Sequence, residues 1–128
     1  MAGFTTYLQQ KVLDHVRGKT SFTMPTAYVA LFTTNPTDAG GGTEANYTGY
    51  ARVTTVGADW TASSGVNGLN ANAITFGACT AGTNTITGFG LYDASSAGNL
   101  LAWGTCSLSV SSGITPSFAV GQLNITLD

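Results

Sequence analysis

The side chains able to carry catalysis or hold a metal are few and scattered. His15 is the sole histidine, so any Ser–His or Cys–His pair would rest on a single base. Near the end of a helical stretch it reads instead as a cation suited to the negative end of a helix dipole. Asp14, Asp38, Glu44, Asp59, Asp93 and Asp128 are spread along the chain, without the close pairing that a two-carboxylate hydrolase would suggest. Cys79 and Cys106 stand far from each other and from His15, which is not a metal-ligand spacing. Buried, reduced thiols are the preferred reading, and a disulfide between neighbouring strands is the alternative. Asp38 and Glu44 share a glycine-rich loop and could hold Ca²⁺ with backbone carbonyls, although a solvated loop is preferred. Gly40, Gly41 and Gly42 lack a following Lys-Ser/Thr and open no helix, so they are not a phosphate cradle. No catalytic, cofactor or metal site is expected, and the chain is not expected to be an enzyme.

Aromatic residues raise a different possibility, because rings at the rim of a β structure can stack on sugar faces. Trp103 and Tyr92 lie inside strand patterns and read as core. Tyr47 and Tyr50 flank the end of the glycine loop, and with Asp38 and Glu44 they form a candidate exposed loop for ligand contact.

Positioning these residues falls to one helix and a series of strands. Phe4, Leu8, Val12 and Val16 recur every four residues, with Leu13 widening the stripe. Thr6 and Gln9 have capping-box spacing, and Gly18 is placed to end the helix. Lys11, Arg17 and Lys19 lie in its second half or just beyond, so three of the four basic residues belong to this one element. Phe4, Leu8, Val12, Val16, Lys11 and Arg17 together make a candidate partner interface. Beyond it the period falls to two. Strands are expected at 27–34, 49–56, 58–61, 73–76, 83–93, 99–110, 118–120 and 122–127, separated by polar loops at 37–48 and 63–72. That is an all-β, jelly-roll-like β-sandwich of about eight strands with one N-terminal amphipathic helix. It is read as a single domain over 1–128, with the helix in 1–19 and the sandwich in 26–128.

Composition narrows the function. Only 8% of the 128 residues are charged, against about 25% in ordinary soluble domains. A surface of Thr, Ser, Asn and Gly can be covered by a partner without burying unpaired charge. The chain is therefore expected to live within an assembly and to self-associate as a homo-oligomer. Four basic residues and a net charge of −2 are too little for nucleic acid. No apolar run approaches the ~20 residues of a membrane span. The N-terminus lacks the basic-then-apolar layout of a signal peptide, so synthesis in a cytoplasm is expected.

Several segments, in order, resemble a family of tailed-bacteriophage virion proteins described as tail fibre or capsid decoration proteins. They are 3–18 (GFTTYLQQKVLDHVRG), 27–37 (AYVALFTTNPT), the glycine loop with Thr43 and Glu44, and 49–53 (GYARV). They continue through 73–76 (AITF), 87–93 (TGFGLYD), 98–104 (GNLLAWG) and the ending from Ile114 to Leu127. The resemblance implies a structural part of the virion. The preferred expectation is a capsid decoration, or cement, protein, with a trimer favoured, that stabilises the head by binding the major capsid protein. The alternative is a tail fibre or tail-tip protein with carbohydrate or host-surface binding.

Overall fold

The computed structural model describes residues 2–128 and contains one α-helix, ten strands and a single 3₁₀ turn. Residues 2–4 join the sheet before the helix begins, as β1 (Ala2–Phe4), and α1 follows at Thr6–Val16. The strands are β2 (Tyr28–Thr34), β3 (Thr43–Glu44), β4 (Val53–Thr54), β5 (Asn67–Leu69) and β6 (Ile74–Thr75). They continue as β7 (Asn84–Tyr92), β8 (Leu100–Val110), β9 (Ser117–Phe118) and β10 (Asn124–Thr126). The chain is thus mostly β with one N-terminal helix, as its alternation predicts.

Eight strands form one sheet in the order β3-β2-β7-β8-β1-β10-β5, with β4 also paired to β2. β1 runs parallel to β10 and antiparallel to β8, so the N-terminal segment fills the place between the hairpin β7–β8 and the C-terminal strand. The second sheet, β6 with β9, lies over this one: Phe118 packs 5.8 Å from Phe89 of β7 and 6.1 Å from Phe76, ring centre to ring centre. Between the sheets lie Val29, Leu31, Ile86, Phe89, Val110 and Leu123, all nearly inaccessible to solvent. Burial of this apolar set is the main stabilising term.

The outer face of the long sheet has a smaller packed region. Phe32 (1% exposed) and Leu100 lie against Gly90, where a Cβ would come within 2.7 Å of the Phe32 ring and 2.8 Å of Leu100 Cδ1. Only glycine fits there. A register shift between Leu91 and Tyr92 opposes Tyr92 to Leu100 and leaves Leu101 as the extra residue, which joins the main core.

α1 starts one residue earlier than the Thr6–Gln9 spacing suggests. Thr5 is the N-cap: its Oγ1 accepts from Leu8 N at 3.4 Å and sits 2.6 Å and 3.0 Å from the carbonyl oxygens of Leu100 and Leu101. Thr5 and Thr6 are equivalent as caps in isolation, and the contact with β8 selects the former. Gln9 then donates to Phe4 O rather than closing a capping box. At the other end Gly18, at φ +74°, donates to His15 O and Lys19 N donates to Asp14 O. That pair of bonds is a Schellman ending. His15 differs from its reading as a free helix-end cation, because its Nδ1 accepts the Phe22 backbone N–H at 3.0 Å. The ring ties the segment after the helix back to α1.

Two further segments depart from expectation. Residues 57–59 form a 3₁₀ turn rather than a strand, with Asp59 accepting from Val56 N at 2.9 Å. The polar stretch read as a loop contains β5, which pairs with β10. Asn70, wholly buried, fixes this arrangement: its Oδ1 accepts from Leu123 N, and its Nδ2 donates to the carbonyls of Asn72 and Ala119, each at 2.9 Å. A buried amide so satisfied holds two irregular segments in register. Among the described residues no helix is long and apolar enough to cross a membrane.

Candidate functional site

The helix stripe divides between core and surface. Leu8 is buried in the core, and Val12 is half-buried beside it. Leu13 and Val16, 55% and 75% exposed, face outward. Phe4 belongs to β1 rather than to the helix, so its four-residue spacing from Leu8 does not place it on a helical face. It nevertheless meets the helix: Phe4, Val12, Leu13, Val16 and Leu127 line a groove of about 400 Å³ whose wall also includes Asp128. A second groove of about 490 Å³ continues it past Val66 and Ile125. The apolar residues singled out in the sequence therefore do converge, except that Leu8 lies beneath the groove. The two cations diverge. Lys11 lies over the Tyr7 ring at 5.5 Å, and Arg17 bridges Asp14 at 2.8 Å just past the end of the helix.

The second set, Asp38, Glu44, Tyr47 and Tyr50, does not form an exposed loop. Tyr47 is 4% exposed and donates to Gly77 O at 2.8 Å, so its ring is core. Asn84 Oδ1 accepts from the backbone of Asn46 and Tyr47 and seats that segment. Tyr50 is half-buried, its ring stacked on Phe76 at 6.3 Å, and its hydroxyl accepts from Leu31 N while donating to Glu44. Asp38 and Glu44 are committed to different partners. Asp38 accepts from Trp103 Nε1 at 3.0 Å and its carbonyl from Thr6 N, which pins the glycine loop to the start of α1. Glu44 accepts both Nε and Nη2 of Arg52, each at 2.9 Å.

Arg52 is the residue that sequence reasoning passed over. Its side chain is 6% exposed, its guanidinium lies 3.6 Å from the centre of the Tyr92 ring, and Nη1 donates to the carbonyls of Ala94 and Ala97 at 2.8 Å. One cation thus ties the glycine loop (through Glu44), the strand end at Tyr92 and the turn at 94–97. A signal was available: Arg52 is the one basic residue away from the helix, in an alternating stretch, and a buried guanidinium requires paired acceptors.

The electrostatics follow from this wiring. Burial alone would raise the Glu44 pKa, but the hydrogen bonds from Arg52 and Tyr50 and the Arg52 charge outweigh it and hold the carboxyl below its usual range. Burial pushes the Tyr50 phenol far above its normal value, and its bond to Glu44 adds to the effect. Cys79 and Cys106 are both free thiols; Cys79 is buried against the carbonyls of Ala81 and Gly82, and burial pushes Cys106 up to about 11. These are stabilising contacts rather than a reactive constellation, and the apolar groove beside α1 is one of several open clefts among the described residues, another of about 520 Å³ lying between Thr6, Asp38 and Tyr92.

No curated protein matches the chain. A family described as podophage GP4 fiber I protein gp80 matches residues 3–126, which is nearly all of it. The ordered resemblance to phage virion proteins agrees with that match, although the description names a fibre and not a capsid decoration. The chain belongs to the podophage GP4 fiber I protein gp80 family and is a bacteriophage structural protein.

Proposed function

We infer that this chain is a building block of the phage tail fibre, attached to other virion proteins through the apolar groove beside α1. The observation that carries the reading is the family match over 3–126, whose description is a fibre protein. It favours the fibre over the head-decoration role expected from sequence. The surface chemistry supports attachment as the work of the fold. Leu13, Val16 and Leu127 are 55%, 75% and 52% exposed along one groove, and apolar patches of this kind mark interaction sites. The framework behind the groove is rigid, because Thr5 bonds to β8 and β1 is held between β8 and β10. A fixed groove loses little conformational entropy on docking.

The test is gold-labelled antibody against this protein on intact particles in the electron microscope. Label confined to the tail or its appendages supports the fibre reading. Label spread over the head would overturn it and restore the cement role. A Val16→Glu variant expressed in place of the parent should be depleted from purified particles. Full incorporation of that variant would show that the groove is not the attachment surface.

A further inference from the structure

The long sheet leaves half of one strand edge unpaired. β1 pairs with β8 from Ala102 to Gly104 and stops there, while β7 accompanies β8 on its other side as far as Val110. From Thr105 to Val110 the side of β8 away from β7 has no partner strand among the described residues, and no loop backbone bonds to it. The core is open at the same place. Ile86 of β7 is fully buried, yet Leu108, directly opposite it on β8, is only half-buried. Cys106, which also packs against the core, is half-buried too. Thr105, Ser107 and Ser109 alternate with them and are exposed. Free strand edges are normally guarded by charged side chains or proline, and residues 105–110 (TCSLSV) contain neither.

We propose that a second copy of this chain pairs with this edge, β8 against β8, antiparallel about a two-fold axis at Ser107. A row of unpaired backbone N–H and C=O groups is complemented by another extended strand. The segment itself says which strand. From Thr105 to Ser109 it reads the same in both directions: hydroxyl, apolar, hydroxyl, apolar, hydroxyl. An antiparallel copy centred on Ser107 therefore sets Ser107 opposite Ser107, Thr105 opposite Ser109 and Cys106 opposite Leu108. Directly opposed residues share a face of the sheet, so each copy closes the other's open core at Cys106 and Leu108 while hydroxyl meets hydroxyl outside. A slip of one residue would set those apolar side chains against hydroxyls. The segment carries no charge, so nothing repels across the axis and no ion is desolvated. The pairing is isologous and closes on itself, as most homo-oligomers do.

Sedimentation velocity of the full chain from about 1 to about 200 µM tests this, and a monomer–dimer equilibrium is expected. Ser107→Asp sets two carboxylates opposite each other and should weaken the dimer about fivefold or more, less so at high salt. Register is read by cross-linking in a Cys106→Ala background. Ser107→Cys should give a disulfide-linked dimer on mild oxidation, because directly opposed Cβ atoms lie about 4.5–5.5 Å apart. Thr105→Cys should not, since the two copies of that residue stand roughly 13 Å apart along the strands. Both positions are exposed, and thermal melts matching the parent keep these effects separate from unfolding. A monomer throughout, a trimer, a dimer indifferent to Ser107→Asp, or cross-linking at 105 and not at 107 would each overturn the pairing. None of the residues 105–110 lines the α1 groove, so Val16→Glu should leave this dimer unchanged. The β8 pairing and the fibre reading therefore fail separately.

Discussion

Replacing Arg52 with alanine should be the most damaging single change at any charged position. It removes the two bonds to Glu44, the two to the carbonyls of Ala94 and Ala97, and the stacking on Tyr92. Breaking a fully buried pair by deleting one partner costs about 3–5 kcal/mol, because the other charge is left without compensation. Glu44 is 27% exposed and keeps its bond from Tyr50, so water recovers part of that loss. A loss of about 2–4 kcal/mol is expected. For a chain of this size that corresponds to a fall in Tm of roughly 3–5 °C per kcal/mol. Urea unfolding followed by tryptophan fluorescence gives the same quantity at constant temperature. The double variant Arg52→Ala with Glu44→Ala should lose less than the sum of the two single changes, since the penalty of a stranded carboxylate disappears. If Arg52→Ala costs under about 0.5 kcal/mol, the network is worth no more than an exposed ion pair, and the reasoning fails.

The same wiring makes stability depend on pH at both ends of the scale. Glu44 titrates lower when folded than unfolded, so its contribution is present above the unfolded carboxyl value of about 4.3 and is lost as pH falls through the folded one. Tyr50 titrates higher when folded, so its contribution is present below about pH 10 and is lost on the alkaline side. Tm measured against pH should fall in both directions, and Glu44→Gln should flatten the acid limb; an unchanged acid limb in that variant would refute the assignment. Asn70→Ala should cost about 2–3 kcal/mol, because Leu123 N and two carbonyls lose their partner in a dry site, and a change under about 0.5 kcal/mol in urea unfolding would contradict that role. Gly90→Ala should destabilise by about 1–3 kcal/mol through its clash with Phe32 and Leu100, whereas Gly113→Ala, with open space around it, should show only the smaller cost of a positive φ.

What could be read from the sequence follows the range of the interactions concerned. The helix is set by local periodicity and by Gly18, so it was legible to within a residue at its start; Thr5 and Thr6 differ only in which one meets the carbonyls of β8. β2, β7 and β8 are long enough for alternation to show. β1 and β5, three residues each, are strands only because neighbours pair with them, and β5 further depends on Asn70 bonding to a segment some fifty residues away. Tyr47 and Tyr50 look like loop aromatics beside glycine and threonine, yet partners at Gly77, Asn84 and Leu31 take them into the core. The groove was legible for a different reason. A helix stripe of Leu8, Val12, Leu13 and Val16 is wider than this fold needs, since Leu8 and Val12 already pack into the core. Leu13 and Val16 are then in excess of the core, and apolar residues that a chain of low charge neither buries nor dilutes are what a sequence shows of the surfaces it keeps for other proteins.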